Sequence, residues 1–144
     1  MLCWVLLLVP VLATFGCRSF NSDWKAAADH ASGVDDIQGR WQGIWASDVT
    51  GHTDKLRCMI STNQEGTIKA RFKANYKKVF TFGYTVPLTL QPSGTGYTFQ
   101  GEANLGWMAG GMYYYGGTVD ATNFSSTYSN RYDHGVFRMG RPNS

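Results

Sequence analysis

Apolar and polar residues alternate through TIKARFKANY (67–76), with Ile68, Ala70, Phe72, Ala74 and Tyr76 on one side and Thr67, Lys69, Arg71, Lys73 and Asn75 on the other. A period of two marks a strand with one buried face. VFTFGYTVPLTL (79–90) continues the pattern, placing Phe80, Phe82, Tyr84, Val86, Leu88 and Leu90 on the inward register. Pro87 falls on the outward register, where a residue without an N–H implies a bulge or a free edge. Turn-forming stretches separate further runs of this kind: VTGHTD, NQEG, PSGTG, LGWMAGG, DATN and NRYDHG. The pattern predicts about eight strands, at 40–48, 55–62, 67–76, 79–90, 97–104, 111–120, 123–129 and 134–140.

In GRWQGIWAS (39–47) the two tryptophans are four apart, and an even spacing puts Trp41, Gly43 and Trp45 on one strand face. Short hairpin connections and the need to protect sheet edges favour a closed, all-β, eight-stranded antiparallel up-and-down barrel; the alternative is a β-sandwich. Gly101, Gly110, Gly111, Gly116 and Gly117 suit the coiling that closure demands. A barrel of this size is either filled by its own side chains or holds one small ligand. Inward Trp41, Trp45, Phe72, Tyr76, Phe80, Phe82, Tyr84, Tyr97, Phe99 and Phe137 supply the bulk to fill it, while Gly43, Ala70, Ala74, Gly101 and Ala103 leave room beside the rings. Candidate contacts for a small apolar or aromatic ligand, such as a lipid, quinone or pigment, are Trp41, Trp45, Phe72, Tyr84 and Phe137. Of the tyrosines in YYY (113–115), alternation sends at least one to solvent or to a rim.

Composition agrees with one β-rich domain: in 144 residues aromatics reach 15% and charged residues only 16%, against about 25% charged in typical domains. A formal charge of +3 is too slight to point to a nucleic-acid partner, and none is expected. The apolar run from Leu2 to Phe15 is short for a membrane span and suits the core of a signal peptide over 1–16. Residues 17–38 are polar and read as a flexible tether, in which Asp23 to Ala31 could form a helical turn or two capped by Ser22 or Asp23; the barrel domain takes 39–144. Cys58, the one cysteine of the barrel region, reads as a small buried hydrophobe.

Thr14-Phe15-Gly16-Cys17 resembles the bacterial lipobox. The resemblance implies acylation of Cys17, as with palmitate, and a lipoprotein anchored to a membrane of the bacterial cell envelope, facing the periplasm or the exterior; the alternative is a secreted protein. Gly39-Arg40-Trp41 resembles the G-x-W opening of the lipocalin and avidin group. That likeness implies a meander barrel closed at one end by the tryptophan, with Arg138 or Arg141 over its indole. The chain is nearer an avidin in length and has no C-terminal helix pattern. GxWxGxW and GGMYYYGG also resemble small bacterial exported proteins, a likeness that implies a place and a shape but no activity.

Closure places the loops after strands one, three, five and seven at one end, which gathers Asp48, His52, Asp54, Asp133 and His134 at a rim near Trp107. His52, Asp54, Asp133 and His134 are the ingredients of a metal or acid–base site, and equally ordinary turn formers and caps. H-E-x-x-H, G-x-S-x-G and the P-loop are absent from the sequence, and S-x-x-K occurs only as SDWK in the tether. No enzyme activity and no cofactor is therefore expected. Lys69, Arg71, Lys73, Lys77 and Lys78 form the one basic concentration, suited to anionic lipid heads or glycan, or to a solvated, protected strand face. The expected function is a binding or structural module at the cell envelope; the alternatives are a carrier of a small apolar ligand and a metal-dependent enzyme at the histidine rim.

Overall fold

Eight antiparallel strands pair in chain order and the last closes on the first in a computed structural model that describes residues 19–27 and 37–143. They are β1 (Gly39–Ser47), β2 (Thr53–Thr62), β3 (Ile68–Tyr76), β4 (Phe80–Ser93), β5 (Gly96–Asn104), β6 (Met112–Val119), β7 (Asn123–Ser129) and β8 (His134–Gly140). Pairing of β1 with β8, from Gln42 opposite Gly140 to Ser47 opposite Gly135, makes a barrel and excludes the sandwich. The expected signal segment, Cys17 and residues 28–36 lie outside the described residues.

The inward register runs across strands as continuous belts, one of which pairs Trp41 with Cys58, Cys58 with Phe72, and Phe72 with Tyr84. Outward positions carry polar or charged side chains such as Arg57, Lys73, Thr89, Gln100, Thr118, Ser125 and Arg138. This is the reverse of the apolar-out pattern of membrane-spanning barrels. Two glycines permit the tight coiling. A Cβ on Gly43 would collide with the carbonyl oxygen of Arg138 across the closing seam, and one on Gly117 with that of Ser125. The end near Gly39 is plugged. Trp41 is fully buried against Phe124 and donates its Nε1–H to the carbonyl of Ile37 at 2.9 Å, while Arg141, just past β8, lies over its ring. Arg138, the other candidate for that place, points outward and is exposed.

Part of the segment read as a flexible tether is a helix, α1 (Phe20–Ala27), seated on the outer face of β1 to β3. It starts earlier than the expected turn, and its cap is the Ser19 hydroxyl, which accepts the Ser22 N–H at 3.2 Å. So short a helix is marginal alone and takes its stability from packing. Phe20 is buried, Arg57 lies over the rings of both Phe20 and Trp24, and Arg40 lies over Trp24. Arg71 pairs with Asp23 at 2.6 Å, and outward-register Met59 is buried in the same patch. Much of the basic outer face is thus occupied by the chain's own aromatic helix.

Candidate functional site

The barrel is filled only over part of its length. Toward the Trp41 end, Leu56, Ile60, Ala70, Val86, Phe99, Val119 and Phe124 pack without space for a guest. Toward the other end the wall divides. β4 and β5 pair only from Leu88 opposite Gly101 to Ser93 opposite Gly96. Beyond that point Phe80 to Pro87 pair with β3 alone, and Glu102 to Asn104 with β6 alone. Pro87 stands where the strands part, and its missing N–H removes a ladder donor. Small Ala74 and Ala103 face the resulting space. The outcome is a cup of about 700 Å³, open at the mouth and along the slit between β4 and β5.

Eight of its twenty lining residues are aromatic: Trp45, Tyr76, Phe82, Tyr84, Tyr113, Tyr115, Tyr128 and Phe137. They brace one another. Phe137 packs on Tyr128 at 5.1 Å and on Tyr115 at 5.8 Å, and Phe72, one layer down, stacks under Tyr84 at 5.2 Å. Trp45 lies nearly parallel to Tyr76 and donates its Nε1–H to the Asn75 carbonyl at 2.8 Å. A 3₁₀ turn, Trp107–Ala109, stands at the mouth, where the Tyr113 hydroxyl donates to the Ala109 carbonyl at 3.0 Å. On the β7–β8 side Asp133 accepts the Ser47 hydroxyl at 2.6 Å and the Tyr128 hydroxyl at 3.1 Å, and Asn75, Thr85, Glu102 and Asn104 add polar groups elsewhere along the lining. Burial holds the Tyr84, Tyr115 and Tyr128 hydroxyls well above the ordinary tyrosine value, so these rings are neutral and the carboxyl groups of the lining are those of Glu102 and Asp133. Burial likewise pushes the Cys58 thiol up, which suits a core side chain and removes it as a nucleophile.

Of the five residues singled out as ligand contacts, Trp45, Tyr84 and Phe137 line the cup. Phe72 forms the layer beneath it, and Trp41 belongs to the plug at the opposite end. Phe80 and Phe82 keep the inward register yet are 58% and 50% exposed, because their part of β4 has left β5 and faces no opposing wall. Tyr115, Tyr128 and Asp133 were not foreseen as wall residues. The signal for Tyr128 lay in the alternation of Phe124, Ser126 and Tyr128, diluted by serine and threonine.

The histidine-bearing loops are neighbours as expected, with the Asp48 N–H donating to the His134 carbonyl at 2.8 Å. Of the four candidate side chains, His52 and Asp54 lie together, with Nε2 3.8 Å from Oδ2, and among the described residues no third His, Cys, Asp or Glu joins them. The Asp54 carboxylate accepts the N–H of Lys78 at 3.2 Å, and His52 Nε2 lies 3.5 Å from the N–H of Lys77. His52 and Asp54 thereby hold a turn in which Lys77 and Lys78 adopt φ of 51° and 59°, the left-handed pair of a tight hairpin. Asp133 is engaged by Ser47 and Tyr128, and His134 is exposed. Among the described residues no three His, Cys, Asp or Glu side chains are grouped to hold a metal ion, and no helix is long and apolar enough to cross a membrane.

No protein-family model, curated protein or solved structure matches the chain.

Proposed function

We propose that this chain is a carrier or binding module of the bacterial cell envelope that takes one small apolar or aromatic ligand into the cup, by binding and not by catalysis. The supporting observation is a ring-lined space of about 700 Å³ beside a fully packed half, within the roughly 300–1,000 Å³ range of small-molecule pockets. Neutral rings and stacked walls favour a flat or hydrophobic guest, and Asp133 with Tyr128 offers one place to orient a polar substituent. Trp41 under Arg141 supports a lipocalin-like reading of the closed end. In this proposal Cys17 carries the lipid that tethers the module. Replacement by Ser then abolishes partitioning into the detergent phase, and unchanged partitioning refutes the anchor.

Titration with 1-aminoanthracene, a neutral fluorescent probe, tests the cup. Saturable one-to-one binding is expected, weakened at least about tenfold when Ala103→Trp fills the space. Binding unaffected by that change would place the probe elsewhere and refute the carrier. Native mass spectrometry of protein from its own source identifies the guest.

A further inference from the structure

The two ends of the barrel differ in polarity. All four loops at the open end expose an apolar side chain: Val49 at 54%, Val79 at 79%, Trp107 at 87% with Met108 at 84%, and Tyr132 at 69%. The turns at the opposite end, 63–67, 94–95 and 120–122, present only Asn, Gln, Glu, Gly, Thr, Asp and one Ala. Single exposed apolar residues need no explanation, but a ring of them around one mouth marks a surface that meets a partner.

The chemistry of the ring selects the partner. Lys77 and Lys78 precede Val79, and Arg131 precedes Tyr132. Apolar and aromatic tips flanked by long cationic side chains match the layering of a bilayer surface, where rings enter the head-group boundary and cations stay at the phosphates. The acidic groups Asp48, Asp54, Glu102 and Asp133 match Lys55, Lys77, Lys78 and Arg131 in number, but Asp54 is recessed under the Lys78 N–H and Asp133 against Ser47 and Tyr128, so the exposed tips of the 77–79 and 130–133 turns carry the cations. The Lys77-Lys78 tip is presented rigidly, since its left-handed backbone is held by His52 and Asp54.

Position agrees with chemistry. α1 is fixed to the barrel wall, with Phe20 beside Lys73, three residues short of the rim end of β3. Cys17 precedes Phe20 by three residues in the sequence, so the lipid proposed for it would join the chain just before α1. A lipid there would hold the barrel against a membrane instead of at the end of a long tether. The slit between β4 and β5 opens toward the same end.

We propose that the open end docks on the surface of an anionic phospholipid bilayer, with Val79, Trp107 and Met108 in the head-group boundary and Lys77 and Lys78 at the phosphates. An apolar guest then passes between the acyl layer and the cup without crossing water, although docking itself does not require the cup to be used.

Hydrogen–deuterium exchange of the full chain, with and without phosphatidylcholine–phosphatidylglycerol vesicles, tests this. Vesicles are expected to slow exchange about tenfold at 77–82, 105–112 and 130–133 and to leave 63–66 and 120–122 unchanged. The readout is local, so attachment through the N-terminal segment alone does not satisfy it. Trp107→Asp with Met108→Asp, both on an exposed tip, removes the slowing while exchange elsewhere stays native. Equal exchange at the two ends overturns the proposal. Slowing at the rim that depends on protein concentration without vesicles also overturns it, in favour of a second copy as the partner.

Discussion

Arg141 holds its guanidinium carbon 4.0 Å from the centre of the Trp41 ring. The same group donates to the carbonyls of Gln38 at 2.8 Å, Arg40 at 3.1 Å and Ala121 at 3.1 Å. One side chain therefore joins the segment before β1, the turn between β6 and β7, and the residue after β8. Replacement of Arg141 by Ala removes the ring contact and leaves three carbonyls to find water, a loss of about 2–4 kcal/mol. Lys at this position restores less than half, since one ammonium cannot lie flat on the indole and reach three acceptors. Trp41→Ala costs about 3–5 kcal/mol. Denaturant midpoints of the three variants check the order.

Asp54 accepts the N–H groups of Lys55 at 2.8 Å and Lys78 at 3.2 Å. The Lys55 bond, then that of Lys78 with the charges of His52 and Lys78, holds its carboxyl below the ordinary value of 3.8 against some desolvation. The unfolded chain thus takes up the proton first, so the carboxylate's contribution is complete above the ordinary value and is lost as pH falls through the lower folded one. The turn at 77–79 is expected to loosen in acid before the barrel does. Amide shifts of Lys55 and Lys78, followed from about pH 5 to pH 2, should move together with one midpoint, and the midpoint should vanish in Asp54→Asn.

α1 is bound by rings on guanidinium groups, so its removal should be local. Trp24→Ala loses the contacts to Arg40 and Arg57, worth about 1–2 kcal/mol. Exchange in 20–27 is expected to become fast while β5 to β8 stay protected. Equal loss of protection in both would mean that the helix is part of the barrel's cooperative unit.

Alternation carried nearly all of the fold: β7 and β8 were bounded to the residue at 123–129 and 134–140, and the in-and-out register of β3 held throughout. Closure followed from short turns. What alternation cannot express is where a wall stops pairing with its neighbour, because register alone does not show whether a partner lies opposite. Hence Phe82 was rightly turned inward and its exposure missed. Pro87 marks the slit in the sequence: a residue without an N–H implies a bulge or a free edge, and it stands at the parting of β4 from β5. The helix escapes alternation for a related reason: eight residues whose only large apolar side chains are Phe20 and Trp24 gain their order from arginines far along the chain.

Asp133 gathers the Ser47 and Tyr128 hydroxyls at the edge of the cup and receives the Asn130 side chain's help in return, since Asn130 Oδ1 accepts the N–H of Asp133 at 2.6 Å. Ser47 is 4% exposed and Tyr128 5%, so neither hydroxyl can turn to bulk water. Asp133→Ala strands both and costs about 1–3 kcal/mol. Asp133→Asn keeps one acceptor oxygen and restores most of that stability. The two variants separate structure from binding. If Asp133 orients a polar substituent of the guest, Asn rescues the denaturant midpoint without rescuing affinity for an amine-bearing probe such as 1-aminoanthracene. If Asp133 serves only to tie β1 to β7, midpoint and affinity recover together.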